Sequence, residues 1–201
     1  MHSFLALIDE LMSCPAAQRD AQERRIHDAF EHQRAVLALD MSGYSLSVRR
    51  AGILSHLCQI RRMQRHVGPL IERFEGEVVR ELADNVLATF PEPRHAIAAA
   101  VAINHAIHLS QQDPASEPLL TVSIGIDYGK LLLVSGHDCF GETVNIAFKL
   151  GEDVAQPGEI LITENVRQRL GETSPFPLQA MQLSVSGLDL LAYRIGYDVS
   201  G

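Results

Sequence analysis

The segment Ala35-Val-Leu-Ala-Leu-Asp40 is apolar at every position until it stops on a carboxylate, and nothing else constrains the architecture as tightly. A run this short reads as a buried strand, ended by the loop Met41-Ser42-Gly43-Tyr44-Ser45. The periodicity then changes. From Ile53 the apolar residues fall at Leu54, Leu57, Ile60, Met63, Val67, Leu70, Ile71 and Phe74, the three/four spacing of an amphipathic helix. Pro69 predicts a kink or a restart at Gly68, and Gly76 is expected to supply the C-cap conformation after Glu75. Residues 77–90 read as two strands joined by a tight turn at Ala83-Asp84-Asn85, because Asp and Asn tolerate turn geometry.

Residues 93–109 are rich in Ala, Ile and His and read as a helix, followed by a polar loop over 111–117. The stretch 120–135 is β-rich with an expected break at Tyr128-Gly129. A further helix is predicted from Gly141 to Ala155. Pro157-Gly158 then turns into a strand over 159–163, a short helix over 164–170 and a closing hairpin over 178–185 and 188–195. At the other end, residues 16–34 lack Pro and Gly and are rich in Gln, Arg, Asp, Glu and Ala, which predicts an exposed or partner-packed helix. The expected division is a helical segment over 1–34 and a single domain over 35–201. The order of elements predicts an α+β fold, a ferredoxin-like sandwich with helices on one face of a mainly antiparallel sheet.

With 201 residues and 46% hydrophobic side chains, the chain can build a real core. A net charge of −8 argues against nonspecific nucleic-acid binding and against attraction to an anionic membrane. Cys14, Cys58 and Cys139 are odd in number and show no CxxC spacing, so neither disulfides nor a zinc site is implied, and a reduced, cytoplasmic compartment is expected. The amino terminus has no basic region ahead of its short apolar stretch, and no run approaches the ~20 apolar residues of a membrane span. The histidines show no HxxxH or HExxH spacing. His95, His105 and His108 read as surface residues of one helix.

The chemistry concentrates in three places. Asp40 and Asp84 close neighbouring strands, and two such carboxylates can hold a pair of divalent metals. The helix that opens Gly141-Glu-Thr-Val-Asn145-Ile-Ala-Phe-Lys149 places an amide and a cation one turn apart, a pair able to grip a charged transition state. These are the parts that phosphoryl chemistry on a nucleotide requires.

Asp40-Met-Ser-Gly43-Tyr44, Gly76-Glu-Val-Val-Arg80-Glu-Leu-Ala-Asp84-Asn85, Ser123-Ile-Gly-Ile-Asp-Tyr-Gly129, Asp138-Cys-Phe-Gly141-Glu-Thr-Val-Asn145-Ile-Ala147 and Ala155-Gln-Pro-Gly158-Glu-Ile-Leu-Ile-Thr163 stand in order along the chain. Together they resemble the catalytic domain of a class III nucleotidyl (adenylate/guanylate) cyclase. The resemblance implies that Asp40, Asp84 and the backbone carbonyl of Met41 bind two Mg²⁺ or Mn²⁺ ions per site. It implies that Met41, Ser42, Gly43, Tyr44 and Ser45 turn backbone N–H groups toward the β- and γ-phosphates. Arg80 and Asp138 fall where the family reads the base. Adenine-specific members usually carry Lys and Asp there, so Asp138 fits ATP while Arg80 departs from the pattern. Asn145 matches the residue that positions the ribose, and Lys149 stands where most members have Arg. No Lys occurs in the segment 185–190, where many members supply a phosphate-binding one.

In the family the metal aspartates come from one subunit and the base-reading residues from its partner, so the resemblance implies a homodimer. Its partners would be a nucleoside triphosphate and a second copy of itself, with no nucleic acid and no membrane. The implied activity is an adenylate cyclase. The alternatives are a catalytically weak or inactive cyclase-fold protein that binds a nucleotide or regulates a partner, and a cyclase for another base, pyrimidine or guanine.

Overall fold

A computed structural model describes residues 2–42, 52–112, 119–171, 174–185 and 188–198. Two helices, α1 (His2–Ser13) and α2 (Arg19–Phe30), precede β1 (Glu31–Met41). The helix expected over 16–34 therefore stops at Phe30, and the strand begins at Glu31. The polar stretch 31–34 is extended because β4 (Val122–Val134) pairs along all of it, from Glu31 opposite Leu132 to Arg34 opposite Gly129. Lys130 Nζ also reaches Glu31 Oε1 at 2.7 Å across that ladder. A strand partner distant in sequence leaves no local signal, so the polar residues looked helical.

Helix α3 (Ile53–Arg73) runs through Pro69 without the expected restart. At its end the left-handed residue is Glu75, with φ 62°. Gly76 is needed for a different reason than the one expected: a Cβ there would run into the Phe90 ring and Ile71. Strands β2 (Glu77–Leu82) and β3 (Asn85–Phe90) form the anticipated hairpin, and α4 (Pro93–Gln112) follows. β4 is one uninterrupted strand, so the break expected at Tyr128-Gly129 is absent. Gly129 instead leaves room for the Thr143 hydroxyl of the next helix. The chain continues through β5 (Asp138–Phe140), α5 (Glu142–Phe148) with a π-helical turn over Lys149–Val154, β6 (Ile160–Thr163), α6 (Glu164–Leu170), β7 (Leu178–Val185) and β8 (Leu188–Ile195).

The strands of the described residues form one eight-stranded sheet in the order β2-β3-β1-β4-β6-β8-β7, with β5 paired to β4. Among the described residues only β4 and β6 run parallel; the other pairs are antiparallel. Because side chains alternate along a strand, Ala35, Leu37 and Leu39 of β1 face one way, with Ile124 and Ile126 of β4. There they meet Ile60, Met63 and Val67 of α3 and Ala100 and Ile103 of α4. Val36 and Ala38 face the other way and pack with Leu131, Leu133 and Cys139 against Val144 and Ala147 of α5. The helices therefore cover both faces, not one. This double burial is the physical reason that β1 is apolar at consecutive positions.

The buried Asp127 of β4 is satisfied inside the fold. Thr163 Oγ1 at 2.5 Å and Asn165 Nδ2 at 3.3 Å both donate to its Oδ1, which ties the start of α6 to the sheet. Among the described residues no helix is long and apolar enough to cross a membrane.

Candidate active site

The register Asp40 opposite Asn85 sets the turn carrying Asp84 beside the last residues of β1. The carboxyl of Asp40 is pushed up to about 6, first by burial and then by the negative charges of Asp84 and Glu152, while a hydrogen bond from the backbone of Met41 acts the other way. Glu152, in the π-helical turn, is itself raised by burial, by Asp153 and by Asp84. Asn85 Nδ2 donates to Glu152 Oε1 at 2.8 Å. Three acids thus share one corner of the domain. Glu152 was not found from the sequence; the signal available was a glycine followed by acids, Gly151-Glu152-Asp153, at a helix end.

The carboxylates of Asp40 and Asp84 have the donor chemistry of a divalent-cation site without forming a full ligand set. Mutual repulsion among carboxylates is relieved by a positive ion, and hard oxygen donors suit Mg²⁺ or Mn²⁺. Among the described residues no three His, Cys, Asp or Glu side chains are grouped to hold a metal ion. Asp40 and Asp84 would need further oxygens, of the Met41 carbonyl and of a bound phosphate group, to complete a coordination shell.

Asp138 on β5 and Arg80 on β2 meet although 58 residues separate them: Arg80 Nη1 donates to Asp138 Oδ2 at 3.0 Å. The other oxygen of Asp138 accepts the backbone N–H of Cys139 at 2.9 Å. The pair lines a cleft of about 400 Å³ with Phe140, Gly141, Asn145 and Phe148. A second, smaller cleft of about 260 Å³ shares Arg80 and Phe148 and extends to Asn85 and Glu152. The two proposed base-reading residues and Asn145 are therefore brought together, and their cleft adjoins the corner where the acids gather. Cys139 is buried, and burial, reinforced by the charge of Asp138, pushes its thiol up to about 12, so it is no nucleophile.

Asn145 sits mid-helix in α5, and Lys149 begins the π-helical turn that follows. Two glycines lower this segment onto the sheet. A Cβ at Gly125 of β4 would overlap the Ala147 carbonyl and the Gly151 amide, and one at Gly151 would come within 2.7 Å of the Ala38 carbonyl. No ion pair engages Lys149 among the described residues. Ser42 is anchored by its N–H to the Thr121 carbonyl at 2.8 Å. Gly43, Tyr44 and Ser45 lie outside the described residues, as does Gly187 of the segment expected to lack a phosphate-binding Lys.

The chain and its fold have counterparts among known proteins. The chain is 28% identical over 134 residues to putative adenylate cyclase 3 of Rhizobium meliloti (strain 1021), a match that covers 67% of this chain but only 22% of that relative. An adenylate/guanylate cyclase/hydrolase from Silicibacter pomeroyi superposes with a TM-score of 0.70 at 26% identity, over 84% of this chain and 98% of that one. The catalytic core of a rhodopsin-guanylyl cyclase with converted specificity, solved with ATPalphaS, gives a TM-score of 0.70 at 20% identity, over 83% and 97%. No family model matches the chain. The chain has the fold of a class III adenylate/guanylate cyclase catalytic domain and is similar to such domains in sequence.

Proposed function

We propose that the chain is a nucleotidyl cyclase that converts ATP to 3′,5′-cyclic AMP and pyrophosphate at sites shared by two copies of itself. The observation that carries this reading is that one chain presents both halves of such a site, Asp40 and Asp84 at adjoining strand ends and a cleft that gathers Arg80, Asp138 and Asn145. In the reaction the 3′-oxygen bonds to the α-phosphorus, the bond from that phosphorus to the oxygen bridging to the β-phosphate breaks so that pyrophosphate leaves, and the hydroxyl proton passes to solvent water. Asp40, Asp84 and the Met41 carbonyl would hold Mg²⁺ or Mn²⁺. When bound, such ions lower the pKa of the hydroxyl and neutralise the triphosphate.

Asp138 accepts from the exocyclic amine of adenine. Arg80 has five N–H donors and gives only one of them to Asp138, so it can still donate to a ring nitrogen. Asn145 orients the ribose, and Lys149 places a positive charge where negative charge grows on the α-phosphate, as a point charge rather than a fork. Backbone N–H groups from Ser42 onward would receive the outer phosphates. One chain supplies the aspartates to a site and its partner supplies Arg80, Asp138, Asn145 and Lys149, so a two-fold dimer holds two such sites.

A second reading rests on the closed Arg80–Asp138 pair and on the lysine at 149: a cyclase-fold protein that binds a nucleotide with little or no turnover. Arg80 also motivates a cyclase for a different base. One measurement separates the three. Purified protein is incubated with Mn²⁺ and each of the four ribonucleoside triphosphates, and pyrophosphate and cyclic product are assayed. Product from ATP alone supports the adenylate reading, and product from another triphosphate alone reassigns the base. Binding without product favours the silent domain.

A further inference from the structure

We propose that α1 braces the wall of the nucleotide cleft from behind and that Phe4 is a positioning residue for base recognition, acting through Phe140. This inference deepens the proposed function and rests on the cleft of Arg80, Asp138 and Asn145 being the base site. Phe4 is 6% exposed although it stands near the chain's start, because its ring is held between two others. Phe30 of α2 meets it edge-on at 5.0 Å and 80°, and Phe140 of β5 stacks on it at 5.5 Å and 4°. Ile26 and Val134 complete that cluster, so the α1–α2 pair is seated on β4 rather than hanging free.

What Phe140 does gives the contact its consequence. It is the last residue of a three-residue strand whose only ladder partner among the described residues is β4, through Leu132, Leu133 and Val134. Two positions before it is Asp138. One position after it is Gly141, with φ 152°, from which α5 departs toward Asn145. Phe140 is therefore the joint between the base-reading carboxylate and the helix of the transition-state amide, and it lines their cleft. A three-residue strand has few ladder bonds to fix it, and Phe140 keeps 41% of its surface exposed even with Phe4 stacked on it. The stack with Phe4 supplies a flat surface against which the joint has one resting position. Removing it lets β5 and the start of α5 shift, which separates Asp138 from Asn145 and weakens the grip on a planar base more than the phosphate chemistry.

The test compares nucleotide affinity and turnover in the full chain. Phe4→Ala is expected to raise the Kd of the accepted triphosphate, and its KM, by roughly three- to tenfold, the scale of one lost aromatic pair, with a smaller change in kcat. Discrimination between triphosphates should narrow as well. Phe4→Leu keeps apolar volume without the flat ring and should fall between the two, and it replaces the Ala variant should that one fail to fold by circular dichroism. Because the effect passes through Phe140, Phe4→Ala combined with Phe140→Ala should weaken binding no more than Phe140→Ala alone. Folded Phe4 variants that bind like the wild type, or single effects that multiply in the double variant, would overturn the proposal while leaving the cleft assignment intact. A wild-type protein that binds none of the four triphosphates would remove both.

Discussion

Asp40 carries the strongest electrostatic signal in the aspartate corner. Its folded pKa of about 6 lies above the 3.8 of an unperturbed aspartate. Between about pH 4 and 6 the folded chain thus retains a proton that the unfolded chain has released, and the metal-free protein loses stability as the pH rises through that window. Asp40→Asn removes the repulsion with Asp84 and Glu152. It should stabilise the metal-free protein at pH 7 by about 1 kcal/mol, once the solvent reaching this half-buried group is discounted, as read from a thermal melt. The same change should abolish turnover. In the wild type, activity should fall on the acid side of about pH 6 as Asp40 takes up its proton, and raising the Mn²⁺ concentration should move that limb to lower pH. Asp84→Ala should likewise remove activity from a chain that stays folded. Either aspartate variant keeping a tenth of the wild-type rate contradicts the metal-binding role.

At the scale of elements, the decisive contact is between β4 and the turn after α5. Gly125 and Gly151 meet where neither can carry a Cβ, and Gly151 also rests on the Ala38 carbonyl of β1. This close approach fixes how deep the segment bearing Asn145, Lys149 and Glu152 sits on the sheet. Gly125→Ala must push backbone away from backbone, which costs on the order of 1–3 kcal/mol and displaces α5. A lower Tm with loss of most activity is the expected result. Gly136→Ala is a useful contrast: a Cβ there meets nothing within 4 Å, although its φ of 71° carries some strain. It should leave turnover within about twofold of wild type. Equal activity losses in the two variants would show that depth of packing is not what places the helix.

For the molecule as a whole, the proposed sites need a partner. Asp84→Ala and Asn145→Ala should each be inactive alone. When the two are mixed and allowed to exchange subunits, half of the dimers pair one chain of each kind and contain one intact site. The mixture should then recover about a quarter of the wild-type activity. No recovery, with exchange verified by differently tagged chains, would rule out sites shared between chains. The same molecule shows why the amino-terminal segment reads in the sequence as an exposed or partner-packed helix. α2 is polar along most of its length, and its few apolar positions make sense only once β4 and α1 are beside it.

Local pattern was enough for the apolar strand up to Asp40, the amphipathic spacing of α3, the Asp84 turn and most of the order of elements, α1 and β5 excepted, because each is written in neighbouring residues through alternation, three/four periodicity or turn chemistry. The family resemblance likewise rests on short contiguous motifs. What required the folded chain was everything set by residues far apart. The strand character of 31–34 comes from β4, and the cover on the second sheet face comes from α5. The steric role of Gly76 comes from Phe90, the Arg80–Asp138 pair from two different strands, and Glu152 reaches the aspartates through Asn85. Such features depend on which backbones approach and how closely, and a linear pattern holds no record of a distance across the sheet.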